Sequence, residues 1–174
     1  FVGKLNSSKG YDVFGAAIIK ILNKYKDWKS IVIGDEPREK FSFSHPNLIH
    51  LGYKNNKFIL KFLEKVSISV VPSKWDEPFG RSSLEAASRG CALIISNTGG
   101  LTETTNDALI LKNVNERTLF NKIEFLIKNQ SFKKKLQKSS HKNFYLDNHN
   151  ASRLIDNIRS ELFHALIIST QISL

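Results

Sequence analysis

Short apolar runs alternate along residues 1–112 with segments whose apolar positions recur at helical spacing. Runs bounded by Gly, Pro, Asn or Ser predict strands in FVG, SIVIG, NLIHLG, SISVVPS, CALIIS and ALIL. Helical spacing predicts helices in YDVFGAAIIKILNKY, NKFILKFLEK and GRSSLEAASRG. Because the strands are apolar throughout rather than alternating, they are expected to be buried on both faces. The pattern therefore predicts a doubly wound α/β domain, with a mostly parallel sheet and helices on either side.

The strand pattern stops after residue 112, and the rest of the chain has only helical spacing. Helices are predicted in NERTLFNKIEFLIKN, SFKKKLQKSSHKNFY and NASRLIDNIRSELFHALI. In the second of these, Phe132 and Leu136 are expected to point inward while the lysines form a solvated face. We therefore predict one domain over residues 1–174, with an α/β core at about 1–112 and a helical tail at 113–174. The polar stretch 35–46 is expected to be a long surface loop.

Composition places the chain among proteins that do not cross a membrane. Hydrophobic residues make up 41% and charged residues 24% of the 174 positions, and no apolar run has the length of a membrane span. The lone Cys91 precedes an apolar run, so we interpret it as a small buried hydrophobe in a reducing, cytoplasmic environment. The start FVGKL, with neither Met nor a leader pattern, is interpreted as the start of a fragment.

The net charge of the chain indicates an anionic binding partner but does not identify which one. Lys and Arg outnumber Asp and Glu by 26 to 16, which gives a net charge of +10 and a field that attracts anionic ligands, membranes or nucleic acid. Nucleic acid is not expected as a partner, because basic residues interleaved with aromatic ones are not evident. The five histidines have no spacing that indicates a metal site, and none is assigned a catalytic role.

The stretch SKWDEPFGRSSLEAASRG has the features of a phosphate site at a helix start. It follows a predicted strand, and its helix is expected to begin near Phe79 to Arg81 and to end before Gly90. Ligands of doubly wound sheets bind beyond the carboxyl ends of the strands. A helix N-terminus offers unpaired N–H groups and about half a positive charge. Gly80 lacks the side chain that would keep a ligand away, so this end suits a phosphate group.

Two carboxylates flank that helix start. Glu77 lies in the loop and Glu85 about one turn inside the helix, and helical side chains lean toward the N-terminus, so both can face one ligand. Carboxylates accept hydrogen bonds from hydroxyl groups and are poor partners for phosphate. Together with the helix end, the pair indicates a nucleotide sugar. The alternative interpretation makes Glu77 and Glu85 ordinary surface acids, one of them favoured by the helix dipole.

The arrangement PS-x3-EPFG-x3-LEA-x3-G resembles the E-x7-E signature of family 4 (group 1) retaining glycosyltransferases. It is found in the C-terminal, donor-binding half of their two-domain GT-B fold, which is Rossmann-like. The similarity extends from FVGKLNSSKGYDVFGAA through IVIGDE, HPNLIHLGY and ISVVPS to SNTGGLTE, and it fades after about residue 112. The resemblance implies that Glu77 contacts hydroxyls of the transferred sugar and that Glu85 contacts the nucleotide ribose.

The resemblance implies further donor contacts. GKLNSSKG is similar to the family's G-R-L-x3-K-G, whose Arg and Lys neutralise the donor diphosphate. Lys9 matches that Lys, whereas Lys4 replaces the Arg, which keeps the charge but loses the planar fork for phosphate. We therefore expect Lys4 to bind the diphosphate more weakly than the family's Arg, or at a different position. The other implied contacts are Gly3, Gly34, Tyr53, Phe79, Gly80, Arg81, Ser82, Gly99 and Gly100. For Gly99 and Gly100, a plain turn is the alternative.

The resemblance also implies what lies outside the chain. An acceptor sugar or lipid is expected to bind through a preceding N-terminal domain, so this fragment alone is expected to be inactive. The implied reaction transfers a hexosyl group from a UDP-, GDP- or ADP-sugar with retention, and without a metal or cofactor, in bacterial polysaccharide, lipopolysaccharide or glycolipid synthesis. A cytoplasmic protein is expected, with possible peripheral contact at the inner membrane face. The alternatives are a non-catalytic nucleotide-sugar-binding module and a basic anion- or membrane-surface-binding domain.

Overall fold

The computed structural model describes residues 1–172, which form parallel strands flanked by helices. The strands are β1 (Ser30–Val32), β2 (Leu48–His50), β3 (Ile68–Val71), β4 (Ala92–Ser96) and β5 (Ala108–Leu111). The helices are α1 (Tyr11–Lys24), α2 (Asn56–Leu63), α3 (Arg81–Ser88), α4 (Glu116–Lys128), α5 (Gln130–Lys142) and α6 (Asn148–Ile172). A short 3-10 helix spans Gly99–Glu103. The predicted α/β fold with parallel strands is confirmed.

The strands are hydrogen-bonded as two parallel groups. β1 pairs with β2, and β3, β4 and β5 form a second sheet in that order. The FVG run is not a full strand, because its only bridge joins Val2 to Ile33 in parallel. Its backbone still continues the first group, since Ile33 N–H donates to the Phe1 carbonyl and Gly3 N–H donates to the Ile33 carbonyl. All paired strands therefore run in one direction, and their carboxyl ends lie at one edge.

One hydrophobic core joins the two groups of strands. It contains Val32 of β1, Ile94 of β4 and Phe14 of α1, together with residues of β2, β3, β5, α4 and α5. β4 is buried at every position, as expected of a central parallel strand. Cys91 is fully buried, and burial raises the pKa of its thiol to about 12. The prediction that Cys91 is a small buried hydrophobe is confirmed.

The prediction that Phe132 points inward is wrong, whereas Leu136 is buried as predicted. The Phe132 side chain remains 38% exposed and packs edge-on against Phe125, with ring centroids 5.2 Å apart. Lys133 takes the inward position instead, and its ammonium lies 4.7 Å from the centroid of the Trp28 ring. A lysine stem can cover apolar surface while its ammonium lies over an aromatic face, so helical spacing alone did not identify the inward residue.

The polar stretch 35–46 contains no helix or strand, as predicted, but it is not a detached loop. The rings of Phe41 and Phe43 pack edge-on against Tyr11, at centroid distances of 6.0 and 5.6 Å. Tyr11 is buried, and its hydroxyl lies 2.7 Å from Nε2 of His50. The stretch is therefore anchored on α1 by two aromatic side chains.

The chain divides into two compact units, Phe1–Asn143 and Phe144–Leu174. The first contains all the strands and α1 to α5. The second contains α6, whose first turn is capped by Asp147, because the carboxylate accepts the Asn150 backbone N–H at 2.8 Å. Among the helices of residues 1–172, none has both the length and the apolar character needed to span a bilayer.

Candidate functional site

The segment at residues 4–10, called here the lysine loop, is fixed against the end of β3. The Ser8 carbonyl accepts the backbone N–H of Lys74 at 2.9 Å. Gly10 has a φ of +70°, and a Cβ there would lie 1.9 Å from the carbonyl oxygen of Pro72. Only glycine permits both this conformation and this approach. The lysine loop therefore leads into α1 at a point directly beside the loop that follows β3.

Two carboxylates from the stretch 35–46 hold the other side of the lysine loop. The backbone N–H and hydroxyl of Ser7 both donate to Glu39 Oε2, at 3.0 and 2.6 Å. The amide of Asn6 donates to Glu36 Oε2 at 3.2 Å. Arg38 hydrogen-bonds the Glu36 carboxylate and lowers its pKa to about 2. Sequence reasoning missed these acids, because a polar loop gives no signal of what its side chains reach.

Lys9 and Glu77, both predicted site residues, form an ion pair. Lys9 Nζ lies 2.5 Å from Glu77 Oε1, although the residues are 68 positions apart in the chain. The Glu77 side chain is only 11% exposed and that of Lys9 31%. An ammonium group has three N–H donors, so Lys9 retains donors for an anionic ligand while it contacts Glu77. The pair joins the lysine loop to the loop before α3.

The N-terminus of α3 is built as the sequence predicts, with Arg81 as its first residue. Gly80 is the N-cap, has a φ of +88°, and makes no side-chain capping bond. A Cβ at Gly80 would lie 2.5 Å from Leu101 Cδ2, the end of a side chain, so the positive φ is the main reason for glycine here. Within residues 1–172, the backbone N–H groups of Arg81 and Ser82 donate to no acceptor. These two groups are the donors that an anion at this helix end would meet.

Gly99 and Gly100 bring a second loop into backbone contact with the Glu77 segment. The Gly100 N–H donates to the Glu77 carbonyl at 2.6 Å. Gly99 has a φ of +50°, and a Cβ there would lie 2.3 Å from that same carbonyl oxygen. A Cβ at Gly100 would lie 2.7 Å from the carbonyl oxygen of Pro78. The two glycines thus form the start of the 3-10 helix and fix the backbone on both sides of Glu77.

Ser83 and Thr104 link α3 to the 3-10 helix, and sequence reasoning missed both. The Ser83 hydroxyl donates to the Gly80 carbonyl at 2.7 Å and lies 2.8 Å from Thr104 Oγ1. The Thr104 hydroxyl is 2.6 Å from the Leu101 carbonyl. Both side chains are buried, so these bonds satisfy polar groups that water does not reach. A serine and a threonine in ordinary helical context carry no sequence signal for this contact.

Glu85 is half-buried and paired with a residue that the sequence did not single out. Its Oε1 accepts a hydrogen bond from the side-chain amide of Asn56 at 2.6 Å and lies 3.7 Å from the Arg81 guanidinium. Burial raises the pKa of the Glu85 carboxyl, an effect that Arg81 and Asn56 oppose. Asn56 begins α2 after the capping residue Asn55, and from sequence it is an ordinary first-turn residue. The contact joins the starts of α2 and α3.

Three chain segments meet at Gly3, Gly34 and Gly52. A Cβ at Gly34, which has a φ of +139°, would lie 1.8 Å from the Gly3 carbonyl oxygen. The Gly34 N–H donates to the Gly52 carbonyl at 3.0 Å. Tyr53 follows this junction and is 73% exposed. The predicted residues Gly3, Gly34 and Tyr53 therefore share the carboxyl-end edge of β1 and β2.

The side chains of three predicted residues remain at the surface, although that of Arg81 still lies 3.7 Å from the Glu85 carboxylate. Lys4 is exposed and forms no ion pair with any residue of the described range 1–172. Phe79 is 41% exposed, and the side chain of Arg81 is 77% exposed. The site therefore has two separately fixed contacts, the Lys9–Glu77 ion pair and the Glu85–Asn56 hydrogen bond, and an open part whose side chains face solvent.

An apolar cavity of about 260 Å³ lies elsewhere in the fold. Its lining includes Ile31 and Ile68, at the amino-terminal starts of β1 and β3, together with Phe14 and Ile21 of α1. The loops described above follow the carboxyl ends of the strands, where ligands of parallel sheets bind. We therefore place the candidate site at the loops rather than at the cavity.

Replacing Gly99 by alanine is expected to destabilise the fold more than the same change at Gly52. Both glycines have positive φ, at which alanine costs roughly 1–2 kcal/mol. A Cβ at Gly52 meets no atom within 4 Å, whereas one at Gly99 lies 2.3 Å from the Glu77 carbonyl oxygen. Denaturant unfolding of Gly99→Ala and Gly52→Ala measures the difference. Equal free energies of unfolding for the two variants would contradict the close packing.

The sequence profile of the family described as glycosyl transferases group 1 matches residues 1–143, most of the chain. The chain therefore belongs to the group 1 glycosyltransferase family, as the resemblance predicted. An uncharacterized 42.6 kDa protein in the cps region of Klebsiella pneumoniae is 36% identical over 118 residues, which are 66% of this chain and 29% of that protein. This chain thus spans less than a third of that relative's length.

Solved structures confirm the GT-B type of fold. The C-terminal domain of a group 1 family glycosyl transferase, LpcC from Francisella tularensis, superposes with a TM-score of 0.70 at 24% identity, over 82% of this chain and 80% of that one. Anabaena Alr3699/HepE, solved in complex with UDP and glucose, has a TM-score of 0.71 at 16% identity. That match covers 91% of this chain and 48% of the Anabaena chain.

Proposed function

We propose that the loops at the carboxyl ends of the strands bind a UDP-, GDP- or ADP-sugar, and that the protein is a retaining hexosyltransferase. The observation that carries the proposal is the Lys9–Glu77 ion pair, which places a cation and a hydroxyl acceptor beside the N-terminus of α3. An anionic diphosphate and a polyhydroxylated sugar need those two kinds of group. The Anabaena neighbour solved with UDP and glucose supports this choice of ligand.

The residues divide by the part of the donor that each contacts. Lys9 and the backbone N–H groups of Arg81 and Ser82 hold the diphosphate, with Lys4 as a second cation. Glu77 accepts hydroxyl groups of the sugar, and Glu85 accepts those of the ribose. The backbone at Gly3, Gly34, Phe79, Gly80, Gly99 and Gly100 lines the site, and Tyr53 lies toward the base.

In the transfer step, the bond between the anomeric carbon and the diphosphate oxygen breaks, and the acceptor oxygen bonds to the same face of that carbon. The acceptor hydroxyl gives its proton to the leaving diphosphate oxygen. The leaving diphosphate gains negative charge as the bond breaks. Lys9 and the N-terminus of α3 stabilise that charge, which supplies the positive field that a metal ion gives in other enzymes. Neither a metal nor a cofactor is needed in this mechanism.

The acceptor, a sugar or lipid, binds on a preceding domain of the longer protein, so residues 1–174 alone do not complete the reaction. The reaction takes place in the cytoplasm, at the inner face of the membrane, in bacterial polysaccharide, lipopolysaccharide or glycolipid synthesis.

One observation favours a second function, a non-catalytic nucleotide-sugar-binding module. Lys4 stands where the family has Arg, and it is exposed without an ion pair in the described range. Donor hydrolysis or transfer by the full-length protein excludes the module.

The experiment that tests the proposal is a calorimetric screen against UDP, GDP and ADP and their glucose conjugates, in EDTA and in Mg²⁺. We expect one nucleoside diphosphate and its sugar to bind, with an affinity that EDTA does not lower. Binding of none of the six ligands would reject the donor site. Binding that requires Mg²⁺ would support the proposed ligand but contradict metal-independent binding of its diphosphate by Lys9 and the N-terminus of α3.

A further inference from the structure

The outer face of α5 carries a row of lysines, called here the lysine stripe. At about 100° of rotation per residue, its members fall within one side of the helix. They are Lys134, Lys135, Lys138 and Lys142, and all four are exposed. Ser131 lies on the same side. The opposite side of α5 is buried at Leu136 and Ser140.

The charge of the lysine stripe is not neutralised by the protein. The α5 sequence QSFKKKLQKSSHK contains no acidic residue, and within residues 1–172 none of the four lysines forms an ion pair. Two lysines elsewhere in the fold, Lys24 of α1 and Lys128 of α4, both pair with Glu124. Like charges four residues apart, as at Lys134 and Lys138, destabilise a helix. The stripe therefore has an electrostatic cost that an external anionic surface would remove.

The contacts of α5 leave the stripe free to meet a surface without covering the candidate site. The Ser140 hydroxyl donates to the Ala87 carbonyl at 3.5 Å, and His141 Nδ1 lies 3.1 Å from the Ser88 carbonyl. These carbonyls belong to the last turn of α3, whereas the proposed donor site is at its first turn. The helix is thus fixed to the fold at the end of α3 that is distant from the site.

Two exposed aromatic rings border the lysine stripe. Phe132 lies one turn before Lys135 and is 38% exposed, and its partner Phe125 on α4 is 42% exposed. Aromatic rings beside lysines on a helix are typical of segments that lie at the boundary between lipid headgroups and acyl chains. The rings lie at one edge of the stripe and are not interleaved with the lysines, which is not the pattern used for stacking nucleic-acid bases.

We propose that the lysine stripe, with Phe125 and Phe132 at its edge, binds the surface of an anionic lipid bilayer. Each lysine near such a surface contributes about five-fold to the partition coefficient. Four lysines on one rigid helix therefore give substantial but salt-sensitive binding, because the attraction falls off within a Debye length of about 10 Å at 0.1 M ionic strength. The proposal specifies the membrane contact included in the proposed function, but it needs no nucleotide.

The experiment is co-sedimentation of the full chain with vesicles of phosphatidylcholine, with or without phosphatidylglycerol at three lipids in ten, without nucleotide. One variant changes the four stripe lysines to Gln. A matched control changes four exposed lysines scattered elsewhere, Lys26, Lys40, Lys65 and Lys112, to Gln, so both variants remove four charges from the net +10. A third variant changes the stripe lysines to Arg. Circular dichroism checks that all of them fold.

We expect the wild type to bind only the anionic vesicles, and the Arg variant to bind as the wild type does. The partition coefficient should fall at least ten-fold in the stripe variant and less than three-fold in the control. Equal losses in the stripe variant and the control would overturn the proposal in favour of net charge alone. Absence of wild-type binding would overturn it too. Tight binding to duplex DNA that the stripe variant loses, without vesicle binding, would assign the stripe to nucleic acid. None of these results depends on whether the calorimetric screen finds a donor.

Discussion

Lys9→Ala is expected to weaken binding of the preferred nucleoside diphosphate by about 1.5–3 kcal/mol, the scale of a hydrogen bond to a charged group. Lys9 Nζ has a fixed position, because Glu77 holds it at 2.5 Å and Asn6 Oδ1 accepts the Lys9 backbone N–H at 3.0 Å. A diphosphate at the N-terminus of α3 would meet an ammonium group that is already placed. Isothermal titration of the wild type and the variant measures the loss.

A second variant separates the binding role of Lys9 from its structural role. Lys9→Ala leaves the Glu77 carboxylate, only 11% exposed, without its ammonium partner, so stability is expected to fall as well. Lys9→Ala combined with Glu77→Gln removes that unpaired charge and should recover part of the stability, while diphosphate binding stays weak. Lys20→Ala breaks a more exposed ion pair with Glu116 and serves as the charge control. Unchanged affinity in a folded Lys9→Ala protein would remove Lys9 from the site.

The fold was predictable because its signals are local. Apolar runs such as CALIIS, bounded by polar or turn residues, became strands, and the helix predicted to begin near Phe79 to Arg81 begins at Arg81. The sequence did not reveal which residues of a helix face inward, because that depends on contacts with other parts of the chain. The helical period permits either Phe132 or Lys133 to face inward. Lys133 does so, because its ammonium group lies over the Trp28 ring.

The candidate site was predictable where a backbone conformation requires one residue type. Gly80 and Gly99 both have a positive φ, and at Gly99 the Glu77 backbone also leaves no room for a Cβ. Both glycines were singled out from sequence. Asn56, Ser83, Thr104 and Glu39 were not, because each acts through a hydrogen bond to a residue far away in the chain. Long-range side-chain pairing has no periodic signature in one sequence. The partner of Glu85 therefore became known only from the structure.

Glu85→Gln and Glu77→Gln are expected to have different effects on donor binding. If Glu85 accepts ribose hydroxyls, its variant should weaken the free nucleoside diphosphate and the nucleotide sugar alike, because both contain the same ribose. The carboxylate is held for that role by the Asn56 amide at 2.6 Å. A glutamine in its place is a poorer acceptor, and the loss should be about 1.5–3 kcal/mol for each ligand.

Glu77→Gln should instead spare the free nucleoside diphosphate and weaken the sugar-bearing donor, because the side chain is proposed to contact only the sugar. The change also releases Lys9 from its carboxylate partner, so diphosphate binding is not expected to fall. In the full-length enzyme the variant should lower kcat, since the contact strengthens as the glycosidic bond breaks. Four titrations, two variants against two ligands, measure the split. Glu64→Gln, at the exposed C-cap residue that follows α2, is the control. Equal, negligible losses of affinity in all four titrations would make Glu77 and Glu85 ordinary surface acids. A loss of affinity that is confined to the sugar-bearing donor in Glu77→Gln alone supports separate roles for the two carboxylates.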